Sequence, residues 1–209
     1  MLRKFLLFGV LAAMAGWPLA AHAGHHQWTI SELFTNADGT VQFVELKGNA
    51  NGEGALSPWS VNTTGTTATS QNLAPDLPAA TLNRYLLLGT AGYASLAALQ
   101  GAPAPDRTIP ANFLEVLTAD TVVYAGLGGA ATRAYGAGGI PTNGIDSLDF
   151  EHDPNATNTP TNYAQATGSI NAAPPAAIPA LPRFGALALI GLVVIAAGVL
   201  LRRRSAQSI

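Results

Sequence analysis

A run of 18 residues without a charge, Phe184 to Leu201, constrains this chain more than any other stretch. As a helix it reaches about 27 Å, close to the roughly 30 Å hydrocarbon core of a bilayer. Eleven of the 18 are Phe, Leu, Ile or Val, so insertion is favoured by roughly 3 to 7 kcal/mol before Ala and Gly are counted. Arg202, Arg203 and Arg204 follow at once. They stop transfer, and the preference of positive flanks for the cytoplasm puts residues 202–209 there. The sequence thus predicts a single-pass membrane helix over 184–201.

The other end carries a second apolar segment. Arg3 and Lys4 precede the run from Phe5 to Trp17, Pro18 breaks it, and Ala21-His22-Ala23 offers small residues where a signal peptidase reads them. The pattern predicts a cleaved signal peptide over 1–23, with a mature chain starting at Gly24. Between the two lies a predicted soluble domain, 24–171, followed by a linker and motif over 172–183 in which Pro174, Pro175, Pro179 and Pro182 favour extended backbone. All twelve acids fall in the middle domain against four bases, Lys47, Arg84, Arg107 and Arg133. Such an acidic surface argues against nucleic acid as a partner, because phosphate binding needs clustered Lys and Arg. The chain has no cysteine, so this domain must be stable without disulfides, and thiolate metal sites are excluded.

Within the domain, Trp28 to Phe34 and Thr40 to Leu46 are rich in β-branched and aromatic residues and flank Asn36-Ala37-Asp38-Gly39, a hairpin signature. The second strand is apolar on both faces, as in a strand buried between layers, and Glu45 in that setting needs a partner. Further strands are expected around Leu56 to Val61 and over Arg84 to Gly89, Thr108 to Glu115, Thr121 to Ala125 and Ile145 to Phe150, with two turns of helix over Ala94 to Gln100. The fold class is therefore mainly β, an antiparallel sandwich.

Two resemblances follow from these residues. Ile178-Pro179-Ala180-Leu181, then Phe184-Gly185, the apolar helix and the arginines, resemble the IPTL-CTERM sorting signal of bacterial envelope proteins, with Ala180 in place of Thr and Phe184 in place of Trp. The resemblance implies recognition by an exosortase-type membrane transpeptidase, cleavage near the motif, and passage from the inner membrane, with a periplasmic ectodomain, to the cell surface or an extracellular matrix where exopolysaccharide is a partner. The hairpin with Glu45, Trp59, the Leu-rich run Tyr85 to Leu88 and the TVVYAG segment resemble a lamin-tail-like domain, which implies an immunoglobulin-like β-sandwich and says little of activity.

Candidate chemistry is sparse. Asp146, Asp149, Glu151 and Asp153 supply oxygen for Ca²⁺, or else form a solvated acidic loop. Gly24, His25 and His26, if Gly24 is the free terminus, offer four nitrogens in the square-planar set suited to Cu(II) or Ni(II), or else a frayed terminus. No catalytic residues are assigned: there is no GxSxG elbow, and His152 between two acids reads as an exposed, charge-favouring residue. Trp59, Tyr85 and Tyr93 stack on sugars or pack in the core. The reading is a non-enzymatic exported protein without a cofactor, the alternative a Ca²⁺-dependent carbohydrate-binding module. An enzyme using Glu45 or the 146–153 acids would need a concave pocket holding several carboxylates.

Overall fold

The computed structural model describes residues 27–126 and 129–174. The predicted signal peptide, the Gly24-His25-His26 terminus, the sorting motif, the membrane helix and the arginine tail lie outside the described residues. The chain divides between Ala173 and Pro174, and the elements below all precede that division.

The domain is mainly β, with two sheets and little helix. β1 (Trp28–Thr35), β2 (Gln42–Gly48), β5 (Tyr85–Gly89), β6 (Arg107–Thr108) and β9 (Leu148–Asp149) form one sheet in the order β6-β5-β2-β1-β9. β3 (Ser60–Thr63), β4 (Ser70–Asn72), β7 (Asp120–Gly126) and β8 (Gly129–Tyr135) form the other, in the order β4-β3-β7-β8. Every pair is antiparallel except β5 with β6, which is parallel. The predicted hairpin is present: Asp38 Oδ1 accepts from the Thr40 N–H at 3.0 Å and Gly39 takes φ +70°, a turn closed by side-chain chemistry.

One apolar core is shared by both sheets. Trp28, Ile30, Leu33, Val44, Leu46, Leu86 and Leu88 of the first sheet join Val61, Val122 and Tyr124 of the second. At about 1.5 to 3 kcal/mol for each large apolar side chain buried, this layer dominates stability. The opposite face of the first sheet is covered as well. There Phe34 and Phe43 stack with ring centroids 5.2 Å apart, and Phe43 meets Tyr93 edge-on at 5.5 Å. Leu87, Ala97 and Ile170 complete this second cluster. β2 is thus apolar on both sides because both of its faces are covered.

Helix α1 (Ala91–Gln100) begins three residues before its predicted start. Thr90 is the reason: its Oγ1 accepts from the Tyr93 N–H at 3.1 Å as an N-cap, accepts from the Gln42 N–H and donates to the Thr40 carbonyl. Gly92 lets the first turn approach the segment just before β2, since a Cβ there would stand too close to the Thr40 carbonyl. The predicted strand over Thr108 to Glu115 pairs only at Thr108. Pro110 has no N–H to donate and Asn112 has φ +56°, so the chain turns away. Ile109, Phe113 and Leu114 plug the core from a loop instead. The predicted last strand shortens from Ile145–Phe150 to Leu148–Asp149.

Candidate functional site: a buried acidic row under a loop

A break in the period of β1 builds the site. Trp28 and Ile30 face the shared core, and the next core residue is Leu33, three positions on instead of two. The ladder records the same slip, passing from Ile30 opposite Leu46 to Glu32 opposite Glu45. One extra residue in β1 makes a β-bulge, a device that re-aims side chains. Its effect is to set both Ser31 and Glu32 beside Glu45. Glu32 in turn lies opposite Asp149 of β9. Glu45, Glu32 and Asp149 therefore form a row across three neighbouring strands, all three almost wholly buried.

Each carboxyl group has its own donors. Glu45 Oε1 accepts from Ser31 Oγ at 2.6 Å, and Oε2 accepts from the Thr161 N–H at 2.6 Å. Glu32 Oε1 accepts from the Thr159 N–H at 3.0 Å. Asp149 accepts from the N–H groups of Glu151 and His152, at 2.7 and 3.0 Å, and pairs with His152 Nδ1 at 2.9 Å. Beyond the row, Lys47 holds both oxygens of Glu151 at 2.9 Å. Thr159 and Thr161 belong to a loop that roofs the row, and the next alternate residue, Tyr163, gives its N–H to Asp106 Oδ2 at 2.9 Å. A cavity of about 100 Å³ remains between roof and row, with Tyr85 and Thr167 on its wall. At about 30 Å³ per water it has room for roughly three.

Burial sets the electrostatics. It pushes the Glu45 carboxyl up to about 8, with Glu32 and Asp149 adding repulsion, against the pull of Ser31 and the Thr161 N–H. It pushes Glu32 up to about 7, with Asp149 adding repulsion and the bond from the Thr159 N–H opposing. Burial also raises Asp106. Two adjacent buried carboxyls without a bonded cation retain protons near neutrality, because each ionisation makes the next more expensive. The arrangement can hold protons in a buried site. The exposed acids behave oppositely. Asp38 is lowered by its bonds to Thr40, and Glu115 by Thr118 Oγ1 and the Thr67 N–H. Both line a shallow depression of about 440 Å³ beside the exposed Leu117.

The predicted acidic run is split among different tasks. Asp149 belongs to the row, Glu151 pairs with Lys47, Asp146 Oδ2 accepts from Asn143 Nδ2 at 2.6 Å, and Asp153 is exposed. Among the described residues no group of three or more His, Cys, Asp or Glu is arranged to hold a metal ion. His152 is exposed, and its bond to Asp149 raises it above the usual histidine range. Glu45, which needed a partner, has Ser31 and the Thr161 N–H. Tyr93 is core, Trp59 packs on the core from a partly buried position, and Tyr85 is half-buried beside Lys47. Sequence reasoning missed Ser31, Glu32, Thr159 and Thr161. The first two leave a trace in the Trp28, Ile30, Leu33 spacing; the threonines leave none, since their backbone N–H groups do the bonding.

No family model, no curated protein and no solved structure matches the chain.

Proposed function

We propose that this is an exported, non-enzymatic surface or matrix protein: an immunoglobulin-like, lamin-tail-like β-sandwich, delivered by a signal peptide, tethered by the 184–201 helix and released by an exosortase-type transpeptidase acting at Ile178 to Gly185. The observation that supports this most is where the described elements lie along the chain. β1 begins at Trp28, five residues beyond the Ala23 cleavage site, and Trp28 is already fully buried with its Nε1–H bonded to the Glu53 carbonyl at 2.9 Å. At the other end Ala172 still packs on the second apolar cluster, and the division of the chain falls at Pro174, the first of the linker prolines. The described elements, from Trp28 to Asp149, all lie in the interval between the two apolar segments.

The test is mass spectrometry of both termini after fractionation of the native host. An envelope or extracellular species that begins at Gly24 and lacks the residues after the sorting motif is the expected result. A soluble cytoplasmic chain carrying both Met1 and Ile209 refutes the reading.

A further inference from the structure

The loop from Thr159 to Gly168 is fastened differently at its neck and at its roof. At the neck the buried Asn158 side chain accepts from the Ile170 N–H at 2.9 Å and donates to the Ile170 carbonyl at 2.8 Å, which draws the two ends together as in an Ω-loop. Ile170 itself is packed in the second apolar cluster, and just beyond it the Gln100 side-chain amide donates to the Asn171 carbonyl and accepts from the Asn171 N–H. In the roof only Pro160 is buried, and the remaining fastening is polar. Its N–H groups at Thr159, Thr161 and Tyr163 hang on the carboxyls of Glu32, Glu45 and Asp106. At the tip, the Tyr163 hydroxyl lies 3.1 and 3.0 Å from the Pro78 and Ala80 carbonyls and gives its one hydrogen to either, in an exposed position where water can replace them.

We propose that loop 159–168 is a lid over the acidic row, closed while Glu32 and Glu45 share protons beneath it and opening as they ionise. Among the described residues no cation is bonded to either glutamate. Lys47 of β2 is held by Glu151, and His152, after β9, by Asp149. Arg107, beside Asp106, spends its guanidinium on the Leu73 and Pro75 carbonyls, and Arg84 lies over the Tyr163 ring at 5.9 Å. Helix α1 presents Tyr93 and β5 presents Tyr85, both raised by burial and neither a cation. Two ionised glutamates under a closed lid would be adjacent buried charges with no cation bonded to them, an expensive state. Lifting the roof while the Asn158 neck holds opens the pocket, with room for only about three waters, to bulk solvent. The closed lid keeps Glu32 protonated up to about 7 and Glu45 up to about 8, so the open fraction rises with pH across that window.

Hydrogen exchange on the full chain in detergent micelles, with rates expressed relative to the unfolded chain at each pH, decides the matter. From pH 6 to pH 9 the amides of Thr159, Thr161 and Tyr163 should lose at least about tenfold in protection, while the β1–β2 ladder amides hold theirs. In E32Q/E45Q the lid amides should stay protected at pH 9. Should that variant not fold, E45Q serves, with a smaller pH-dependent loss than the wild type. Equal protection at pH 6 and 9 in the wild type overturns the proposal, as does a loss in either variant as large as the wild type's.

Discussion

Replacing Glu45 by Gln removes a titration while keeping the shape of the protonated acid. The amide oxygen can accept from the Thr161 N–H, and the NH₂ can donate to Ser31 Oγ, which then turns its own hydrogen toward the Glu45 backbone carbonyl it already reaches at 3.2 Å. The sign follows from a carboxyl whose folded value, about 8, lies above its ordinary 4.5. Below 4.5 both states hold the proton and pH has no effect. Between 4.5 and about 8 the unfolded chain has released the proton and the folded chain has not, so wild-type stability falls by about 1.4 kcal/mol per pH unit for this group. Above 8 the loss levels off at about 5 kcal/mol, or sooner where opening of the lid relieves the buried charge. E45Q escapes that fall. Urea unfolding followed by tryptophan fluorescence at pH 5 and pH 9 should show the two proteins within about 1 kcal/mol at pH 5, and E45Q ahead by about 3 to 5 kcal/mol at pH 9. A variant that is less stable by the same amount at both values would refute the reasoning, because its defect would then be lost bonding and not a removed charge.

Other consequences are simpler. Gln42 joins β2 to the plug loop by bonding both the Leu114 carbonyl, at 2.8 Å, and its N–H, at 3.1 Å; Gln42→Leu leaves both buried groups unpaired and should cost about 2 to 4 kcal/mol in urea unfolding, whereas a neutral result would mean that the loop re-pairs. Thr90→Ala removes the N-cap of α1, one tie to β2 and one to the turn before it, and should cost about 1 to 2 kcal/mol with faster exchange confined to the helix start. Millimolar Ca²⁺ should leave the thermal melt where chelator leaves it, since the acids of the 146–153 run are already engaged or scattered. Binding at a hundredfold over Kd would add about 2.7 kcal/mol, so an upward shift of several degrees would restore the carbohydrate-module alternative.

What could be read from the residues depended on how local the cause was. The β1–β2 hairpin was legible because Asp38-Gly39 is a turn by its own chemistry, and the β5 core strand because Leu86, Leu87 and Leu88 tolerate water on neither face. β8 was not, since Gly129-Ala130-Ala131 carries no strand propensity and is held by pairing along all of β7. The Thr108–Glu115 segment has the apolar content of a strand, but its backbone is turned by Pro110 and Asn112 and it serves the core as a plug. The acidic row lay further from view. Glu45 signalled a need for a partner, yet the partner was a hydroxyl one bulge away and a main-chain N–H more than a hundred residues along. Backbone donors have no sequence signature, so a site built from carboxyls and N–H groups emerges only with the fold.

The most direct measurement of the buried acidic pair is a carboxyl ¹³C NMR titration of protein labelled at its glutamates, with E32Q and E45Q providing assignments. Two resonances should change near pH 7 and pH 8 while the exposed Glu115 titrates below the ordinary 4.5. Glu32 and Glu45 both titrating below pH 5 would contradict the account.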